Sequence, residues 1–120
     1  VIAEGKALNY PKACRIHLKK DFEYLRERSK KNFVPPLVVY TKASRLGLTH
    51  ARLGLSVSTK QGNAVRRNRL KRILREEFRK NARRTELNLD ILIVTAQKVD
   101  DEIKLRDSFK KLMDSLTPSP

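Results

Sequence analysis

Residues 60–79 read Lys60-Gln61-Gly62-Asn63-Ala64-Val65-Arg66-Arg67-Asn68-Arg69-Leu70-Lys71-Arg72-Ile73-Leu74-Arg75-Glu76-Glu77-Phe78-Arg79. From Val65 onward the pattern is helical. Gly62 and Asn63 suit a tight turn, and Asn63 is a good N-cap. At about 100° per residue Leu70, Ile73, Leu74 and Phe78 fall on one arc. Asn68, Arg72, Arg75 and Arg79 recur on the opposite arc, with Arg69 at its edge. One face therefore belongs against a core, and the other presents a row of guanidinium forks. A solvated helix face usually mixes signs, with Glu placed four residues before Lys or Arg. Here the acids, Glu76 and Glu77, sit together late in the helix. Cations in the first turns also oppose the helix dipole, so local stability did not select them. Planar forks held together match phosphate, which accepts from them two bonds at a time.

Working outward, residues 52–58 alternate, with Leu53, Leu55 and Val57 on one side and Gly54, Ser56 and Ser58 on the other. That small, polar side could accept a helix or an RNA strand closely. After the helix, residues 89–96 are almost wholly apolar, as a central strand covered on both faces requires. Strand, helix and strand over 51–96 form a βαβ unit with parallel strands. Earlier in the chain, Leu18, Phe22 and Leu25 predict a helix over about 19–29, begun by Asp21 or His17. Residues 33–42 predict a strand that pairs with 52–58 as an antiparallel hairpin. Pro35-Pro36 bars ladder bonds at its start, and a further short strand near 31–36 is possible. A last helix opens at Asp100-Asp101-Glu102, carries Leu105, Phe109, Leu112 and Leu116, and closes before Pro118. Residues 1–14 read as an irregular arm and 15–120 as one domain. The fold class is α+β, an αββαβα sandwich with a mixed sheet.

The 120 residues carry 28 Lys and Arg against 13 Asp and Glu, a net charge of +15. Such a balance calls for an acidic partner, nucleic acid or an anionic membrane. The apolar periodicity excludes a disordered chain. No run approaches the roughly 18 apolar residues of a membrane span, and no signal-peptide pattern is read in residues 1–13. One cysteine, Cys14, permits no internal disulfide, which favours a reducing, cytoplasmic setting.

Candidate chemistry is sparse. His17 and His50 lack the neighbours of a zinc site. Neither is linked by any local motif to Cys14 or a serine as nucleophile. The acids at 100–102 fit the start of a helix better than a two-metal centre. No residue is assigned a catalytic role and none a metal. Phe22 and Tyr40 can each be core residues or stacking platforms for bases. Two readings account for the charge without any chemistry: a structural RNA-binding module, such as a ribosomal protein, and a membrane-surface protein with a basic helix.

The run Gly62-Asn63-Ala64-Val65-Arg66-Arg67-Asn68-Arg69-Leu70-Lys71-Arg72 resembles the bacterial ribonuclease P protein family, whose signature is the RNR motif matched by Arg67-Asn68-Arg69. Arg52 to Ser58 resembles the strand before that motif, and Lys20-Asp21-Phe22 the family's first helix. The resemblance spans about residues 15–116. It implies a small basic subunit of a catalytic RNA, which removes the 5′ leader from precursor tRNA. It implies the fold of ribosomal protein S5 domain 2, with a left-handed crossover at the basic helix. The family's protein binds no cofactor of its own, and the magnesium ions serve the RNA. Carried over residue by residue, Lys60, Asn63, Arg67, Asn68, Arg69, Lys71, Arg72, Arg75 and Arg79 would face the catalytic RNA. Phe22, Arg26, Tyr40, Ser56 and Ser58 would line the leader cleft. Arg26 stands where many members have an aromatic residue, so leader binding here would lean more on charge. No membrane partner is implied.

Overall fold

The computed structural model describes residues 14–16 and 18–119. The elements in chain order are α1 (Lys19–Arg26), β1 (Lys30–Val34), β2 (Leu37–Ala43), β3 (Arg52–Ser56), α2 (Ala64–Lys80), β4 (Leu89–Thr95) and α3 (Glu102–Ser115). Short 3₁₀ turns at Thr59–Gln61 and Ala82–Thr85 flank α2. The α+β expectation holds, with a mixed four-stranded sheet in the order β1-β2-β4-β3.

The anticipated extra strand is β1. It pairs antiparallel with β2 across the Pro35–Pro36 turn, whose peptide bond is cis. The strand foreseen over 33–42 is thus two strands. The hairpin foreseen between residues 33–42 and 52–58 does not form, because β4 lies between β2 and β3, antiparallel to the first and parallel to the second. The composition of β4 explains this. Leu89, Ile91 and Ile93 are buried on one face, and Asp90 is fully buried on the other. A strand covered on both sides belongs in the middle of a sheet. The βαβ unit stands as expected.

Each strand sends alternate residues to opposite faces. Leu37, Val39, Leu53, Ile91 and Ile93 point into the main core. There they meet Leu70, Ile73, Leu74 and Phe78 of α2 and Leu105, Phe109, Leu112 and Met113 of α3. Each such side chain contributes about 1.5–3 kcal/mol on burial. The helix begins at Asn63, whose side chain accepts from the Arg66 N–H at 3.0 Å. The α3 start is capped by Asp101, which accepts from the Ile103 and Lys104 N–H groups. That fits the dipole reading of the acids at 100–102.

Among the described residues, the opposite sheet face is only half covered. Across it run three registered rows: Phe33–Val38–Val94–Ser56, Lys31–Tyr40–Leu92–Gly54, and Lys42–Asp90–Arg52. The third row lies under α1. Residues 14–16 run beside β3, with the Ile16 N–H donating to the Leu53 carbonyl at 3.0 Å. A Cβ on Gly54 would stand 3.0 Å from the Ile16 Cβ, so glycine is what lets this segment lie down. Cys14 of the expected arm is buried, and the rest of that arm, with His17, lies outside the described residues.

Asp21 does not begin α1. The N-cap position is Leu18, and Asp21 is fully buried. The Arg52 guanidinium donates to both Asp90 oxygens at 2.9 and 2.8 Å and to both Asp21 oxygens at 3.3 and 3.1 Å. The Arg45 Nε adds a 2.6 Å bond to Asp21, and the Arg45 backbone N–H a 3.1 Å bond to Asp90. Two carboxylates and two guanidiniums thus tie α1, the 44–50 loop, β3 and β4 together. Burial pushes the Asp21 carboxyl up, but the bonds from Arg52 and Arg45 outweigh it and hold the group below its usual range. Lys42 fixes the other end of α1, donating to the Tyr24 carbonyl at 3.0 Å and the Glu27 carbonyl at 2.6 Å. The helix ends at Arg26, three residues before the expected limit, and Arg28 turns the chain away at φ 55°.

Candidate nucleic-acid interface

With its apolar arc buried, α2 leaves Asn68, Arg72, Arg75, Glu76 and Arg79 lining one shallow groove. Arg72 and Arg75 are exposed and meet no carboxylate among the described residues. The groove's acid is already engaged: the Lys80 Nζ lies 3.0 Å from a Glu76 oxygen. Glu77 is taken by Arg106 of α3 at 2.8 Å. Arg79 is half-buried, and its Nε has no acceptor. The Nε of Arg67 is likewise buried without a partner. The unpaired Arg72 and Arg75 and the spare Nε donors of Arg67 and Arg79 give this face the charge and planar donors that phosphate accepts.

Arg69 behaves differently. It grips Glu102 at the start of α3 with two bonds of 2.6 and 2.8 Å. The Arg69 guanidinium holds the Glu102 carboxyl below its usual range. Lys71 is half-buried, and Lys60 is exposed in the turn before the helix. That turn is pinned by Gln61, a residue the sequence did not single out. Its side chain donates to the Gln97 carbonyl and accepts from the Val99 N–H, both at 2.8 Å. Arg66 adds a bond to the Val99 carbonyl. The front of α2 is therefore fixed before any ligand arrives. Glu102→Gln is expected to tighten RNA binding by up to about five-fold, the scale of an exposed ion pair. Filter binding at low salt reads this, and weaker binding would mean that the pair helps docking.

The second surface is the half-covered sheet face. Leu25, Arg26, Tyr40 and Leu92 line a depression between α1 and the sheet. Tyr40 is half-buried, with the Lys31 Nζ 5.8 Å from its ring centroid. Arg26 is exposed. Phe22, four residues earlier on α1, is half-buried and lies outside the core, because α1 buries Asp21 and Leu25 instead. Ser56 is exposed at the end of its row. Ser58 lies past the last paired residue of β3, and its N–H donates to the Thr95 hydroxyl at 3.1 Å. Phe33, 55% exposed on the same face, escaped the sequence reading. Its alternation with Lys31 was the available signal, hidden by the two prolines that follow.

The fold does bring Cys14 and His50 together, with Sγ 3.8 Å from Nδ1. Burial, however, pushes the thiol pKa up, opposite to what an activated nucleophile needs. Among the described residues no group of three or more His, Cys, Asp or Glu is placed to hold a metal ion, and no helix is long and apolar enough to cross a membrane.

A basic helix with unmatched arginines, next to an aromatic-bearing open sheet, defines a small α+β RNA-binding protein. The family model described as Ribonuclease P matches residues 10–117, and the chain belongs to the ribonuclease P protein family, a subunit of that holoenzyme in tRNA 5′ processing. It is 37% identical over 93 residues to the ribonuclease P protein component of Maridesulfovibrio salexigens, covering 78% of this chain and 75% of that one. The corresponding protein of Syntrophus aciditrophicus is 34% identical over 96% of this chain and 94% of its own. The solved RNase P protein of Thermotoga maritima superposes with a TM-score of 0.75 at 30% identity, covering 86% of this chain and 100% of that one.

Proposed function

We propose that the subunit works through two surfaces at once. The row Asn68, Arg72, Arg75 and Arg79, with Lys60, Asn63, Arg67, Arg69 and Lys71 around it, docks on the catalytic RNA. The open sheet face, with Phe22, Arg26, Tyr40 and Ser56, and Ser58 at its margin, holds the single-stranded 5′ leader of precursor tRNA. The observation that carries the division is the difference between the surfaces. One is dominated by cations, with Arg72 and Arg75 meeting no carboxylate among the described residues, and suits a phosphate backbone. The other offers aromatic faces with a few cations, suited to unpaired bases. Bond cleavage is left to the RNA and its magnesium ions, and the protein contributes binding and orientation. A lone, buried cysteine fits work in the cytoplasm.

Cleavage of precursor tRNA by the RNA at low magnesium, with and without this chain, tests the reading. The chain should raise the rate, and no gain would refute it. Tyr40→Ala in the holoenzyme should weaken precursor binding on the order of 5- to 100-fold while leaving mature tRNA unchanged, the range of one lost stacking contact. Equal losses for both tRNAs would remove Tyr40 from the leader's path.

A further inference from the structure

We propose that Phe33 is a base-stacking platform that carries the leader's track to the outer edge of the sheet. The inference rests on the reading of the open face as the leader's path. Phe33 stands in register with Val38, Val94 and Ser56, so an unbroken row crosses all four strands from β3 to β1. The row starts at Ser56, just before the turn into α2. At about 4.8 Å per strand it spans roughly 14 Å, the length of about four stacked nucleotides at 3.4 Å each. Tyr40 lies diagonally from Phe33, one strand over and two residues along. Such diagonal positions are about 7–8 Å apart, which seats two bases separated by one more in a stack.

The surroundings suit RNA rather than a greasy partner. Lys31 is on the same face of β1, two residues before Phe33, and Arg26 borders Tyr40. Neither the Phe33 row nor the Tyr40 row contains an acid. The core does not account for Phe33, because Val34, on the other face of β1, is the residue packed against it. A lone exposed apolar side chain needs no explanation. An aromatic at the end of a registered, acid-free row continuous with Tyr40 has one.

The test uses holoenzyme reconstituted with its RNA and precursors whose leaders have about two or about eight nucleotides, short or long against the row. Phe33→Ala should weaken long-leader precursor binding on the order of 5- to 100-fold and leave the short leader and mature tRNA unchanged. Phe33→Tyr should restore it, and Phe33→Leu should not, although all three share the fold by thermal melting. Tyr40→Ala is measured beside them. If Tyr40→Ala weakens precursor binding and Phe33→Ala does not, the platform is overturned and the leader face survives. If neither does, both fall. Equal losses for short and long leaders, or a change in self-association with leader binding intact, would also overturn the proposal, the latter assigning Phe33 to protein contact.

Discussion

Asp21→Asn should destabilise the fold by about 3–5 kcal/mol, because it leaves Arg52 and Arg45 facing a neutral amide inside the protein. In a chain of this size that lowers the melting midpoint by well over about 10 °C. The loss should depend on pH in a defined direction. Native Asp21 is held below its usual range by Arg52 and Arg45, against the push of burial. In the unfolded chain it titrates near about 3.9. A carboxyl depressed in the native state stabilises above the unfolded value, and that stability disappears as pH falls through the native value. The gap between wild type and Asp21→Asn should therefore be full at neutral pH and narrow below about pH 4. Urea titrations at several pH values measure it, and a gap that persists unchanged at low pH would remove Asp21 ionisation as the cause. The same variant should blur leader selection, since the network sets where α1 holds Phe22 and Arg26.

Replacing Arg72 and Arg75 together by Ala should reduce affinity for the catalytic RNA by roughly 10²- to 10⁴-fold, taking each charge-assisted bond at about 1.5–3 kcal/mol. The more diagnostic reading is the salt dependence. If each arginine neutralises one phosphate, the slope of log K against log salt should flatten by about 0.7–0.9 per contact. A weakened but equally steep line would mean that the substitutions had disturbed structure rather than phosphate contacts. Both side chains are exposed and without a carboxylate partner among the described residues, so the fold should tolerate the change.

The basic helix was legible because its two arcs repeat over 17 residues, long enough to fix period and face together. The apolar run of β4 announced a central strand for the same reason. Strand order was not legible. Alternation in β2 and β3 states which face is buried but not which edge pairs, and both strands found the same partner. The Asp21–Arg52–Asp90 cluster was invisible for a related reason. Its members lie 31 and 38 residues apart, and a charge in a strand looks like a surface residue until its partner is known. One clue existed: Asp90 interrupts an otherwise apolar run, and a charge there calls for a buried counter-charge. On the RNA face, the row from Asn68 to Arg79 was readable from the helix alone. The engagement of Arg69 with Glu102 was not, since it depends on where α3 begins in space.

The central place of β4 also dictates the order in which a nascent chain can acquire structure. β2 and β3 share no edge with each other, so until Leu89–Thr95 has been synthesised only the β1–β2 hairpin has its partner. The arginine-rich helix leaves the ribosome before the strand that completes the surface it packs on. It is therefore first presented as a basic amphipathic segment with its apolar arc uncovered. Assembly of the sheet becomes a late and concerted event, closed by contacts distant in sequence. Any truncation before Thr95 would strand two open edges beside a polycationic helix, a combination prone to aggregation and to indiscriminate capture of RNA.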